Sequence, residues 1–261
     1  MSTAEASLQL MLRALKLPSF VANHEAIGRE VEQHGWTFSQ GLRRLCEVEM
    51  HDRRERRISR LQKASRLPAS KTLATLERAA LPAKVRRQLP ALCEGGFAQR
   101  GDNVLLFGLP GRGKTHVAAA IGHELIMRGR SVLFSSTRGL VERLLVAKRD
   151  LQLERALRRL DAFDVVILDD IGYVQQDREQ MEVLFTLFAQ RYERRSLVIT
   201  SNLVFSQWDR IFKDPMTTAA AIDRLVHHAV ILEMTGKSRR SEEAKLRAAA
   251  KPKPEPKEVK S

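Results

Sequence analysis

One stretch of eight residues constrains this chain more than any other. Gly108-Leu109-Pro110-Gly111-Arg112-Gly113-Lys114-Thr115 follows the apolar run Val104–Phe107 and opens a segment of helical spacing over 114–127. Glycines at the first, fourth and sixth positions let successive main-chain N–H groups turn toward one point. The helix behind them adds the positive end of its dipole. Strand, glycine-rich turn and helix in that order make a phosphate-binding loop. The expected ligand is ATP with Mg²⁺. Gly108 to Thr115 and the following His116 cradle the phosphates, with Lys114 reaching the β and γ groups and the Thr115 hydroxyl ligating the metal.

The surrounding pattern agrees. Short apolar runs at Val104–Phe107, Val132–Ser135, Val165–Leu168, Leu197–Thr200 and Val230–Leu232 alternate with helical segments at 114–127, 138–148, 151–160, 178–194 and 217–227. Such alternation predicts an α/β fold, a mostly parallel sheet with helices on both faces. Ligands of such sheets bind at the carboxyl ends of the strands. Upstream, residues 1–66 read as a small all-helical domain. Leu8, Leu10, Met11, Leu12, Leu15 and Leu17 crowd one face before Pro18, and Phe38, Leu42, Leu45 and Val48 recur at helical spacing. Residues 67–100 read as a linker with short helices, punctuated by Pro68, Pro82, Pro90, Gly95 and Gly96. The ATPase domain then spans 101–236. The Lys-Pro-rich segment 237–261 has no periodicity and is expected to be a basic, disordered tail.

Further polar residues sit where the strands end. Val165-Val166-Ile167-Leu168 runs into Asp169-Asp170. Carboxylates at the end of a buried strand are costly unless a cation compensates them. Asp169 is therefore expected to hold Mg²⁺, mostly through water, and Asp170 to polarise an attacking water. Asn202, after Leu197–Ser201, is placed to orient that water. Arg224 follows a helix-like stretch and is expected to reach a neighbouring subunit's ATP. Arg239 or Arg240 is a candidate nucleotide contact from the same subunit. The adjacent His227 and His228 are expected to point in different directions as structural or surface residues, with no carboxylate of metal-binding spacing nearby. Trp36 and Trp208 read as core or interface residues.

Charge suggests the partner. The chain carries a formal charge of +14 and a pI of about 10.4. Residues 1–100 hold 18 Lys or Arg against 10 Asp or Glu, and residues 237–261 hold 9 against 4. The segment between them is nearly neutral, so the excess lies on the flanks of the nucleotide-binding region and points to a polyanion. Cys46 and Cys93 are the only cysteines, which excludes a disulfide framework or a zinc site built on thiolates. No apolar run approaches membrane-spanning length, and the first residues lack the signature of a signal peptide. A cytoplasmic location in a bacterium is the expectation.

Taken together, these stretches resemble the AAA+ superfamily, in the branch of bacterial replication initiators and helicase loaders. Within it they resemble the IstB-like transposition helpers of insertion sequences. The resemblance spans roughly 7–240 and is carried by Leu15-Lys16-Leu17-Pro18, the Arg-rich Glu47–Arg66 helix, Lys71-Thr72-Leu73 and the phosphate loop through His116. It continues in Asp169-Asp170-Ile171-Gly172-Tyr173, Arg191-Tyr192-Glu193-Arg194, Thr200-Ser201-Asn202 and Ile222-Asp223-Arg224-Leu225-Val226-His227-His228.

The resemblance implies a five-stranded AAA+ sheet and ATP-dependent self-assembly into a homo-oligomer on duplex DNA, largely independent of DNA sequence. It implies deformation of that DNA and recruitment of a partner transposase, with slow ATP hydrolysis stimulated by DNA or oligomerisation. It also implies that two helices inserted after the second core strand line the DNA, here with Arg138, Arg143, Lys148, Arg149, Arg155, Arg158 and Arg159. Asp170 departs from the Glu usual in AAA+ proteins. One methylene shorter, it would suit slow turnover or an ATP-gated assembly switch. Arg112 stands where Thr is commoner. A helicase loader acting in replication is the alternative reading.

Overall fold

The structure, a computed structural model, describes residues 3–173, 178–210 and 215–235. Arg239, Arg240 and the tail 237–261 lie outside them. The chain forms two compact units, Met1–Arg60 and Leu61–Ser261.

The first unit is helical: α1 (Thr3–Ala14), α2 (Pro18–His34) and the larger part of α3 (Phe38–Ser65). Pro18 occupies the first turn of α2, where a missing N–H costs nothing. Gly35 closes that helix at φ 64°. A polar knot ties the helices. The Ser19 N–H donates to Glu49 Oε2 at 2.8 Å and its hydroxyl to Asp52 at 2.6 Å. Arg53 donates to Glu49 at 2.6 Å and to the Lys16 carbonyl at 2.7 Å. Burial pushes the Glu49 carboxyl up, but the Arg53 and Ser19 donors outweigh it and hold its pKa below the usual value. Part of the arginine-rich face of α3 is thus committed to internal ion pairs: Arg43 and Arg44 meet Glu47, and Arg53 and Arg56 meet Glu49.

In the second unit α4 (Ala83–Glu94) and α5 (Gly96–Arg100) precede a five-stranded sheet. Its strands are β1 (Asn103–Phe107), β2 (Val132–Ser136), β3 (Val165–Asp169), β4 (Ser196–Ser201) and β5 (Ala229–Glu233). They are all parallel, in the order β2-β3-β4-β1-β5. The helices are α6 (Lys114–Met127), α7 (Thr137–Arg149), α8 (Leu153–Asp161), α9 (Arg178–Arg191) and α10 (Pro215–Val226). β1, β3 and β4 are buried along nearly their whole length, which is why they read as unbroken apolar runs rather than alternating ones. α6 is buried on most sides, and at Gly122 a Cβ would lie 2.9 Å from Ile167 and 3.0 Å from Leu67. Trp208 is fully buried in the core, its ring 6.2 Å from that of Phe107.

Two local expectations change. Pro82 and Gly95 do bound α4, but Pro90 lies inside it. The helix continues past the missing N–H because Val85, Leu89, Leu92 and Cys93 bury one face. α9 ends at Arg191 rather than 194, since Glu193 takes φ 54° and turns the chain toward β4.

Candidate functional site

Strand order brings the predicted site together. β4 lies between β1 and β3, so the loop after β1, the acidic end of β3 and the end of β4 are neighbours at one edge of the sheet. The loop itself requires glycine. Gly108, Gly111 and Gly113 have φ of 151°, 78° and 83°, and a Cβ at Gly108 would stand 2.5 Å from the Met234 carbonyl. The Gly108 N–H donates to Ser201 O at 3.2 Å, tying the loop to β4. Lys114 is 5% exposed, and its ammonium rests on the Gly108 and Leu109 carbonyls at 2.5 and 3.1 Å. A buried ammonium held by the loop's own carbonyls is poised to exchange them for phosphate oxygens.

At the end of β3 one hydroxyl organises both aspartates. Thr200 Oγ1 donates to Asp169 Oδ1 at 2.7 Å and accepts the Asp170 N–H at 2.9 Å. The Thr137 hydroxyl donates to the Asp169 carbonyl at 3.0 Å. Asp170 sits at φ 58°, an unusual conformation for a non-glycine residue. Asn202 Oδ1 is buried without a hydrogen-bond partner, and a Cβ on Gly172 would overlap it. Gly172 therefore makes the space that Asn202 occupies. Sequence alone assigns no function to Thr200 or Gly172. The only signal for them is their place beside Asn202 and Asp169 in the stretches that carry the family resemblance.

These features fit a nucleoside triphosphate and its metal: three left-handed glycines form a cradle, a buried ammonium rests on the loop, and an unpartnered Asn202 Oδ1 follows the strand next to the one that ends in two aspartates. The imidazole of His116 is directed elsewhere. Its Nε2 lies 3.1 Å from Thr72 O and 3.2 Å from Thr75 Oγ1, so this nitrogen holds the connector. His123 likewise meets Pro68 O at 3.2 Å. Arg112 Nε is buried without a partner.

Arg224 is not at this edge. Asn103, the first residue of β1, donates its side-chain amide to the Leu225 carbonyl at 3.1 Å, so the end of α10 stands at the amino ends of the strands. The guanidinium lies 4.7 Å above the Phe185 ring.

The cations expected to line DNA divide into two sets. Arg138 pairs with Glu142, Lys148 with Glu182 and Arg158 with Glu154. Arg143 donates to Ser135 Oγ at 2.8 Å, and burial, then neighbouring Arg66, hold its pKa below the usual value. Arg149, Arg155 and Arg159 are exposed and have no ion pair or side-chain hydrogen bond among the described residues.

Arg191 is fully buried and donates to the carbonyls of Leu160, Phe163, Asp164 and Ser196 at 2.9 to 3.3 Å. Burial lowers its pKa to about 10. His227 and His228 do not diverge as expected. Their ring centroids are 4.1 Å apart, and Glu193, remote in sequence, lies beside both.

Comparison with known proteins agrees with this geometry. The family profile of IstB-like ATP binding proteins matches residues 10–248. A putative insertion sequence ATP-binding protein of Sinorhizobium fredii is 45% identical over 92% of this chain and 81% of its own length. Those of IS5376 from Geobacillus stearothermophilus and IS21 from Pseudomonas aeruginosa are 36% and 34% identical. They match over 89% and 90% of this chain and 92% and 89% of their own lengths. Among solved structures, replication initiator DnaA bound to AMPPCP and single-stranded DNA superposes with a TM-score of 0.57 at 17% identity. The match covers 70% of this chain and 56% of that one. DnaI superposes with 0.54 at 22% identity, over 66% and 96%. These structures share the AAA+ fold, and the chain belongs to the family of IstB-like ATP-binding proteins.

Proposed function

We propose that this protein is an ATP-dependent helper of transposition that assembles on duplex DNA, deforms it, and recruits and stimulates a partner transposase, with ATP hydrolysis regulating the assembly. The observation that carries the reading is the shared carboxyl end of β1, β3 and β4, from which the glycine loop with Lys114, the Thr200-linked Asp169-Asp170 pair and Asn202 all follow. Relatives named as insertion sequence ATP-binding proteins supply the biological context.

Each residue has a role that its surroundings support. The main chain of Gly108–Thr115 and Lys114 bind the phosphates, and Lys114 gives up its two loop carbonyls to do so. Thr115 and Asp169 hold Mg²⁺, which with ATP supplies the phosphoanhydride and the positive charge that neutralises its oxygens. Asp170 orients and polarises water, and Asn202, whose buried Oδ1 has no hydrogen-bond partner, helps orient the same water. Arg224, at the opposite end of the strands, serves a neighbouring subunit. Arg149, Arg155 and Arg159 contact DNA phosphates, which needs cations and no base recognition.

The test is binding to duplex and single-stranded DNA of equal length, with ATP, with ADP and without nucleotide, at fixed salt. Wild type should assemble cooperatively on duplex only with ATP, and Lys114→Ala should not. Preference for single strands would favour a helicase loader. Binding indifferent to nucleotide and to Lys114 would refute ATP-gated assembly.

A further inference from the structure

At the end of the sheet opposite the phosphate loop, three turns of the second unit converge. Glu193 stands in the turn between α9 and β4, held at φ 54°. Gly101, just before β1, packs against it so closely that a Cβ there would lie 3.1 Å from the Glu193 carbonyl carbon. His227 and His228 form the turn between α10 and β5, and the His228 carbonyl accepts the Asn103 N–H at 2.8 Å. Main-chain packing thus places one carboxylate and two imidazoles from distant parts of the chain together.

Their side chains converge too. Nδ1 of His227 and Nε2 of His228 each lie 3.8 Å from Oε1 of Glu193. One donor atom from each residue falls within 4.8 Å of the others. Around a tetrahedral ion with bonds of about 2.0–2.1 Å, ligand atoms stand roughly 3.4 Å apart. The two contacts to Glu193 are a few tenths of an ångström longer than that, and the exposed side chains rotate to bring all three donors onto one ion. The Tyr192 hydroxyl lies 2.8 Å from His227 Nδ1. An ion bound at that nitrogen takes the place of this hydrogen bond, since a metal and a hydroxyl compete for the same edge of the ring.

We propose that Glu193, His227 and His228 form a binding site for one divalent transition-metal ion of the zinc class. Two imidazoles and a carboxylate suit Zn²⁺, Cu²⁺ or Ni²⁺ and disfavour Mg²⁺, which prefers an all-oxygen shell. Water completes the coordination from the open side. The bound ion joins the α9–β4 and α10–β5 turns, so it stabilises the folded second unit by mass action. The site is separate from the phosphate loop and does not depend on nucleotide binding.

The experiment is calorimetric titration of the nucleotide-free full-length chain with ZnCl₂ in excess Mg²⁺. Cys46 is replaced by serine throughout, so that its exposed thiol does not compete. The expected result is one ion per chain and a rise in Tm with zinc. Affinity should fall by more than about tenfold, the scale on which even the outer partners of ligands count, in His228→Ala and separately in Glu193→Gln. Replacing the exposed His51 with alanine should change nothing. Metal-free unfolding curves matching wild type would show that the variants are folded. No saturable zinc uptake, or uptake equal in all three variants, would overturn the proposal.

Discussion

The Thr200 hydroxyl performs two tasks with one group. It has one proton to give and lone pairs to accept, and it spends the proton on the Asp169 carboxylate while accepting the Asp170 N–H. It therefore fixes the carboxylate expected to carry Mg²⁺ relative to the main chain that holds the proposed base. Thr200→Val keeps the volume and removes both bonds, so the Asp169 carboxylate and the Asp170 main chain are no longer tied through one group. With the carboxylate and the base no longer fixed relative to each other, ATP turnover should fall by about tenfold or more, a loss of about 1.4 kcal/mol of transition-state stabilisation, while nucleotide affinity measured with ADP stays near wild type. Thr200→Ser should restore most of kcat. Equal turnover in the valine and serine variants would refute this role. A thiol prediction also lives at this scale. Burial pushes the Cys93 pKa up to about 11, so at pH 8 the sulfur stays protonated and unreactive. A disulfide reagent should modify exposed Cys46 quickly and Cys93 only on unfolding.

At the scale of elements, α7 and α8 combine two kinds of cation. Those already paired with Glu142, Glu182 or Glu154 have part of their charge answered within the protein. Arg149, Arg155 and Arg159 do not, so replacing all three with alanine should weaken duplex binding more than replacing Arg138, Lys148 and Arg158. The slope of log affinity against log salt should fall in magnitude by nearly one for each DNA phosphate left without its arginine. Equal weakening in the two triple variants, measured by fluorescence anisotropy across a salt series, would count against the assignment. The elements themselves were legible because each buried strand is a short apolar run between polar turns, and all five runs lie within their observed strands. Pairings across the fold were not. Periodicity says nothing of Glu193 meeting His227 across 34 residues, nor of Arg191 reaching the Leu160 carbonyl across 31. Adjacent histidines are expected to diverge because that holds in regular helices and strands, whereas these two occupy a turn. Pro90 misleads because burial of one face of α4 outweighs a single missing hydrogen bond.

Across the whole molecule, the phosphate loop and Arg224 stand at opposite ends of the parallel strands. An arginine there cannot serve its own loop without rebuilding the unit, but in a head-to-tail assembly it can meet the next subunit's loop. Two variants separate the possibilities. Asp170→Asn keeps Arg224 and the phosphate cradle but lacks the proposed base. Arg224→Ala keeps the base but offers no arginine to its neighbour. Each alone should hydrolyse ATP far more slowly than wild type under assembling conditions. Mixed in equal amounts, half of the sites retain Asp170, and half of those face a neighbour with Arg224. Activity should therefore recover to about a quarter of wild type per protomer if neighbours in the heterologous assembly are random. If Arg224 acted within its own subunit, no site in the mixture would be complete, and activity would remain the average of the two variants. That contrast distinguishes an intersubunit arginine from one that supports only the local fold of α10.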